Sequence, residues 1–419
     1  MKRIVFIVDG YYPKYSAVGV CVNNVIQELS NQYNIIVITK KIFNGDQDAT
    51  YNNNYVRRYN TSDNYLRNYI TEKIELSSGL KKTFFKTASL AVRGYGYVGA
   101  ILKKINIKNQ EVKSIYNELV KIDDKIDIII PACLPFEGIV AAIKFKNEHS
   151  NESKVIPFLF DKFSANSTLH RTESNKRKKF TTHISLERQM FGKCDKILFV
   201  ESWDKHLHEY FSEYIDKFIQ VEHPLIKQVV SNENIVYDHE RVNIVYTGAL
   251  YKKIRSPLSA LKLFSKLIEE DKRITLHLYI TGDCNSVVNS YSEKYPDNII
   301  NHGSVQTDTA KAAIISADIL LSIGNSDITQ LPSKIFEYIS TGNPIMHFYF
   351  NKKDPVLTIL NDYNNFYCIA NDESDMKQMV SMTLKKINNW GDKWTFDEIE
   401  SIYSIATPKY TAKKIIDLL

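Results

Sequence analysis

Apolar positions along the chain fall into short unbroken runs, separated by stretches with helical spacing. Residues 4–8 (Ile4-Val5-Phe6-Ile7-Val8) are continuously apolar, as expected of a parallel strand covered on both faces. A loop from Asp9 to Ala17 leads to a segment with Val18, Val22, Val25, Ile26 and Leu29 on one stripe, which predicts a helix. Residues 34–39 give a second buried strand and complete a β–α–β unit. Further strand signals lie at 126–130, 155–160 and 196–200, with helical stretches at 137–148 and 180–193. A polar region, 227–241, reads as a linker. The alternation then restarts, with strands at 242–247, 274–281, 299–302, 318–323 and 344–350 and helices at 257–270, 286–295, 307–315 and 333–340. Two such segments predict two doubly wound α/β domains, 1–226 and 242–396. Residues 397–419 read as a closing helix around Ile399, Tyr403, Ile415, Ile416 and Leu419, packing back on the first domain.

Length and composition agree with that division. A chain of 419 residues is too long for one ordinary core, and 44% hydrophobic with 24% charged residues is a globular balance. The net charge of +6 suits anionic substrates or an anionic membrane surface and is low for a nucleic-acid binder. The five cysteines are scattered without a C-x-x-C pair, which fits reduced cytosolic thiols and gives no zinc site. Only five apolar residues precede Asp9, too few for a signal peptide. The best candidate span, 126–143, is broken by Asp127, Pro131, Pro135 and Glu137. A cytoplasmic protein is expected.

The candidate chemistry sits at the carboxyl ends of the second set of strands. The run Leu331-Pro332-Ser333-Lys334-Ile335-Phe336-Glu337-Tyr338 follows a buried strand. Pro332 suits a first helical turn, Ser333 adds a hydroxyl, Lys334 a cation and Glu337 a carboxylate. Free N–H groups beside a cation attract an anion, and a carboxylate just beyond suits a sugar hydroxyl. Gly248 lets a backbone approach a ligand, and Arg255 offers a planar fork to a diphosphate. Gly282-Asp283 and His302-Gly303-Ser304-Val305 end two more strands at the same edge. Their convergence predicts a nucleotide at the carboxyl edge of a parallel sheet.

These residues resemble the donor-binding domain of GT-B glycosyltransferases, specifically retaining enzymes of glycosyltransferase family 4. The resemblance is carried by Gly248 to Arg255, Gly282-Asp283, His302-Gly303, Ala317-Asp318, and the run Gln330 to Tyr338 followed by Gly342, Pro344 and Ile345. It extends more loosely to the opening strand and loop and to Glu187 with Cys194 to Val200. It implies the GT-B fold, two Rossmann-like domains facing across a cleft. It further implies transfer of a sugar from a nucleoside diphosphate sugar to a glycan or lipid-linked acceptor in bacterial surface polysaccharide synthesis, with no cofactor and no metal. Arg255 and Lys334 would bind the diphosphate and Glu337 the ribose. The backbone at Gly303, Ser304 and Val305 would lie near the base. Gly19, Gly248, Gly282, Leu331, Pro332 and Ser333 would complete the donor site. Two positions depart from the family pattern: Thr329 replaces the first of two glutamates, and Ala249 replaces an arginine. Sugar contact would then fall to Asp327, Thr329 or Gln330. A catalytically silent partner subunit and a nucleotide-sugar epimerase remain as rivals.

Other features stay open on sequence alone. Asp161 ends a strand and either touches the acceptor as a catalytic residue or caps a turn. The first βα loop lacks G-x-G-x-x-G, which disfavours a dehydrogenase. Asp46-x-Asp48 mimics the metal-binding acidic pair of other glycosyltransferases, but it sits in a polar loop, 44–54, of turn composition. His206-x-His208 reads as surface, since positions two apart on a helix face different ways. Residues 79–122 carry nine basic residues against Glu111 and Glu118, with aromatic residues interleaved. That stretch is either a contact with an anionic membrane or a solvated helical face.

Overall fold

In the computed structural model the chain forms two compact units, Met1–Pro224 with Ile405–Leu419, and Leu225–Ser404. The structure describes all residues except 134, 327–331 and 372–374.

The strands of the first unit are β1 (Arg3–Val8), β2 (Asn34–Lys40), β3 (Ala49–Tyr51), β4 (Asn54–Tyr59), β5 (Ile128–Pro131), β6 (Lys154–Val155), β7 (Phe158–Leu159), β8 (Ile197–Phe199) and β9 (Phe218–Gln220). β1 is central, parallel to β2 on one side and β5 on the other, and Ile4 through Val8 are wholly buried. Where one strand is expected over 155–160, Pro157 interrupts it. β6 pairs with β5 while β7 pairs with β8. The expected polar loop at 44–54 instead forms most of a hairpin. Ala49 to Tyr51 pair antiparallel with Asn54 to Val56 across Asn52 and Asn53, both at positive φ (47° and 62°), the geometry of a two-residue turn. Asp46 and Asp48 spend their carboxylates on backbone N–H groups of Ile42, Phe43 and Arg58.

The expected helix over 397–419 is two helices, Phe396–Ile402 and Pro408–Ile416. Thr407 caps the second, and Pro408 starts it with no N–H to satisfy. Only the second belongs to the first unit, where it packs on the Ala17–Leu29 helix. His206 corrects the surface expectation: it is buried against Ser164 and Glu187, whereas His208 is exposed. The spacing argument separated their faces without saying which one met the core.

The second unit holds β10 (Val242–Leu250), β11 (Ile274–Gly282), β12 (Ile299–Asn301), β13 (Ile319–Ile323), β14 (Ile345–Tyr349) and β15 (Phe366–Ala370). All are parallel, in the order β12-β11-β10-β13-β14-β15. The order reverses between β10 and β13, the switch point at which such sheets bind ligands beyond their carboxyl ends. Every strand and helix expected over 242–350 is present, and β15 and two helices follow where no pattern was read. The Leu258–Glu270 helix buries Leu261, Phe264, Leu267 and Ile268 in a core shared with Ile244, Leu276 and Ile319. Among the described residues no helix is long and apolar enough to cross a membrane.

Gly342 ends the Lys334–Ile339 helix at φ +76°, and a Cβ there would stand 2.0 Å from the Trp394 carbonyl oxygen. Gly342→Ala should therefore destabilise the unit by about 2–5 kcal/mol, combining left-handed strain with overpacking. Denaturant unfolding followed by tryptophan fluorescence measures it; an unchanged midpoint would show that this turn relaxes freely.

Candidate functional site

The carboxyl edge of β10 is where the sequence candidates meet. Gly248 and Gly282 hold φ of +144° and +99°. A Cβ on Gly282 would come within 2.1 Å of the Leu250 carbonyl oxygen, so glycine is needed for the approach of the two strand ends. Asp283 donates its N–H to Leu250 (3.1 Å) and accepts from the Lys252 N–H (2.8 Å). That Lys252 contact holds the Asp283 carboxyl below its usual range.

The loop then turns on itself through paired backbone bonds between Tyr251 and Arg255 (2.8 and 3.2 Å). Arg255 is thereby brought back to the strand edge. Its Nε donates to Asn325 Oδ1 (3.0 Å) and its Nη1 to the Ala249 carbonyl (3.4 Å). Buried Tyr246 donates to the same carbonyl (3.1 Å). Burial pushes its phenol up to about 12 even though Arg255 pulls it down. The guanidinium has five N–H donors, more than these contacts consume among the described residues. Ser326 stitches the turn after β13 to the same loop, bonding the carbonyls of Ile254 (2.8 Å) and Lys253 (3.0 Å).

The Lys334–Ile339 helix is pinned to this edge from below. Ile335, Phe336, Tyr338 and Ile339 are buried. The Tyr338 hydroxyl accepts from the Thr247 N–H (2.8 Å) and donates to the Thr247 carbonyl (3.3 Å). Lys334 and Glu337 occupy the opposite side and form an i,i+3 ion pair with each other. Pro332 is buried and Ser333 exposed. The helix has six residues, shorter than the 333–340 expected, and its first bonds are i→i−3, from Ile335 to Pro332 and Phe336 to Ser333. So short a helix offers little dipole, and attraction for an anion falls on the side chains. Asp327, Thr329, Gln330 and Leu331 lie outside the described residues.

Gly303 (φ +67°) accepts from the Ile280 N–H (2.8 Å), which sets Ser304 and Val305 just beyond the ends of β11 and β12. The preceding His302 stacks on Tyr279 at 4.1 Å and 4°, and its Nε2 meets His277 Nδ1 at 3.1 Å. This stack was not read from the sequence. Alternation along β11 puts His277 and Tyr279 on one face, which is the signal that was available.

Two candidates belong to the other unit. Gly19 lies in the Ala17–Leu29 helix, where its N–H bonds the cap Ser16 Oγ (2.9 Å). A Cβ there would meet the Gly10 carbonyl oxygen at 1.9 Å. Ser16 Oγ in turn donates to Asp9 (2.5 Å) at the end of β1. Asp161 follows β7 and is exposed at the surface; partial desolvation of its carboxyl raises it, as does the neighbouring Asp9, with His223 opposing. His223 pairs with Glu222. Asp9, Glu222 and His223 are partners that sequence reasoning missed. Asp9 could have been flagged as the first polar residue after β1.

No protein-family model and no curated protein matches this sequence; solved structures do. S. aureus TarM aligns with a TM-score of 0.55 at 12% identity over 100% of this chain and 97% of its own. The lipopolysaccharide outer core galactosyltransferase WaaB gives 0.55 at 12% over 100% and 99%. A putative UDP-N-acetylglucosamine 2-epimerase from Listeria monocytogenes gives 0.55 at 9% over 99% and 95%. Likeness at this level establishes the fold: a mixed α/β, GT-B-type chain of two Rossmann-like parallel-sheet domains.

Tyr338→Phe should leave the buried Thr247 N–H without its acceptor and cost about 1–3 kcal/mol. Equilibrium unfolding checks this; a loss near zero would mean the helix is held by apolar packing alone.

Proposed function

We propose that this chain is a glycosyltransferase that takes a nucleoside diphosphate sugar as donor. One observation carries the reading. Arg255 is held at the switch-point edge of the sheet, and a short helix bonded to that edge bears Lys334 and Glu337 on its unburied side. Breaking the sugar–phosphate bond drives negative charge onto the diphosphate, and cations fixed there before the reaction lower the barrier. Arg255 and Lys334 are those cations in this reading, and they serve without a metal. The Lys334–Glu337 pair is a placeholder: the donor exchanges each partner's contact, phosphate for Lys334 and ribose hydroxyl for Glu337. Ser304 and Val305 lie beside the base, next to the His302–Tyr279 stack. Asp327, Thr329 and Gln330 would meet the sugar in this reading.

Transfer is of the retaining type by resemblance. The acceptor is a glycan or lipid-linked glycan of a bacterial surface polysaccharide, met at the inner face of the cell membrane. Asp161, with its raised pKa and its neighbours Asp9 and His223, is the acceptor-side catalytic candidate. Support for the class comes from the neighbours in structure, among them TarM in complex with UDP and alpha-GlcNAc-glycerol and the galactosyltransferase WaaB. An epimerase shares the fold as well, so the assay must separate them.

In a thermal-shift panel of nucleoside diphosphates and their sugars, one base should stabilise selectively. At a hundredfold excess over Kd the gain is about 2.7 kcal/mol. Arg255→Ala or Lys334→Ala should each lower transfer by roughly 10²–10³-fold. Chromatography of the donor incubated alone decides against the rival: isomerisation without acceptor would identify an epimerase. Donor binding with no hydrolysis or transfer would identify a silent subunit.

A further inference from the structure

The Gly79–Leu102 helix presents its apolar side outward. It has 24 residues, none of them buried. Its half-buried side, with Phe85, Ser89, Val92 and Gly96, leans on the Ser62–Leu76 helix. On another side, about 120° round the helix, a winding of about 100° per residue gathers Leu80, Phe84, Ala91, Tyr95, Val98 and Leu102 within about 60°. Leu80 is 91% exposed, Phe84 66%, Tyr95 80% and Leu102 77%. A surface helix ordinarily turns such a stripe toward the core, and a contiguous exposed apolar stripe marks an interaction site.

Charge selects the partner. Between residues 76 and 110 there is no Asp or Glu, while seven Lys or Arg are present. On the same winding Lys81 lies about 40° beyond one edge of the stripe, Lys82, Lys86 and Arg93 line the side across the helix from it, and Lys103-Lys104 follow its end. We propose that this helix docks on an anionic phospholipid bilayer. Its apolar stripe sinks to the acyl boundary and its lysines lie among the headgroups. The helix end is tied to the body of its unit: Lys179 Nζ and Asn175 Nδ2 both donate to the Ala100 carbonyl (2.5 and 3.3 Å). Docking therefore holds the whole unit, not a loose tail, at the lipid surface. This stands apart from the transfer chemistry, because it needs neither donor nor acceptor.

Cosedimentation of the full chain with lipid vesicles tests it, without nucleotide present. The chain should bind vesicles containing phosphatidylglycerol, release them in high salt, and ignore vesicles of phosphatidylcholine alone. Phe84→Glu with Leu102→Glu should abolish binding. Each lysine near an anionic surface is worth about a fivefold factor, so Lys81→Gln, Lys82→Gln and Lys86→Gln together should weaken it roughly 100-fold. All five positions are at least partly exposed, and unchanged near-UV circular dichroism confirms that the variants fold. Equal binding to both vesicle types, or binding to neither, overturns the proposal. So does a lipid-free dimer of the wild-type chain that Phe84→Glu with Leu102→Glu dissociates, since the stripe would then cover a second copy.

Discussion

The geometry of the candidate site depends on one buried contact, the Tyr338 hydroxyl lodged against both backbone groups of Thr247. A helix of six residues cannot persist by its own hydrogen bonding. What holds Lys334–Ile339 in place is its buried side, Ile335, Phe336, Tyr338 and Ile339, and Tyr338 sets a register against β10 through hydrogen bonds. Thr247 sits where β10 leaves its ladder with β13, which ends in register at Val245 and Leu320. The phenol thus satisfies strand-end groups that would otherwise be orphaned. It also fixes which side of the helix carries Lys334 and Glu337.

The same edge shows how glycine and charge divide the work. Gly282 and Gly342 are explained by close backbone approach alone, to Leu250 and Trp394, and neither needs a ligand to account for it. Arg255 is different. Its carbonyl and amide close a turn, its side chain reaches Asn325 and Ala249, and these contacts among the described residues use fewer donors than a guanidinium offers. In the other unit, Glu187 illustrates the structural case. Its fully buried carboxylate accepts from the N–H groups of Phe163 and Ser164 and faces His206. That network explains its presence as architecture.

Legibility followed the physics of each segment. The six-stranded sheet of the second unit was readable through β14 because parallel strands buried on both faces leave continuous apolar runs, as in Ile319–Ile323. The β3–β4 hairpin was not, since its turn residues and exposed positions share the composition of a loop. Arg255, Lys334 and Glu337 were legible as charges at strand ends, yet their mutual arrangement was not. Nothing in the spacing of Lys334 and Glu337 says whether they face a ligand or each other. The Gly79–Leu102 helix was ambiguous for a related reason: an apolar stripe has the same period whether it meets protein or lipid. The exposure of Leu80, Phe84 and Leu102 shows that this stripe is not spent on the core of its own unit.

The most direct measurement is a crystal structure of the chain with the nucleoside diphosphate that stabilises it. The diphosphate should lie within hydrogen-bond distance of both Arg255 and Lys334, with the Lys334–Glu337 pair opened and Glu337 on the ribose. A nucleotide bound elsewhere, or one that leaves that ion pair closed, would contradict the assignment of the β10 edge as the donor site.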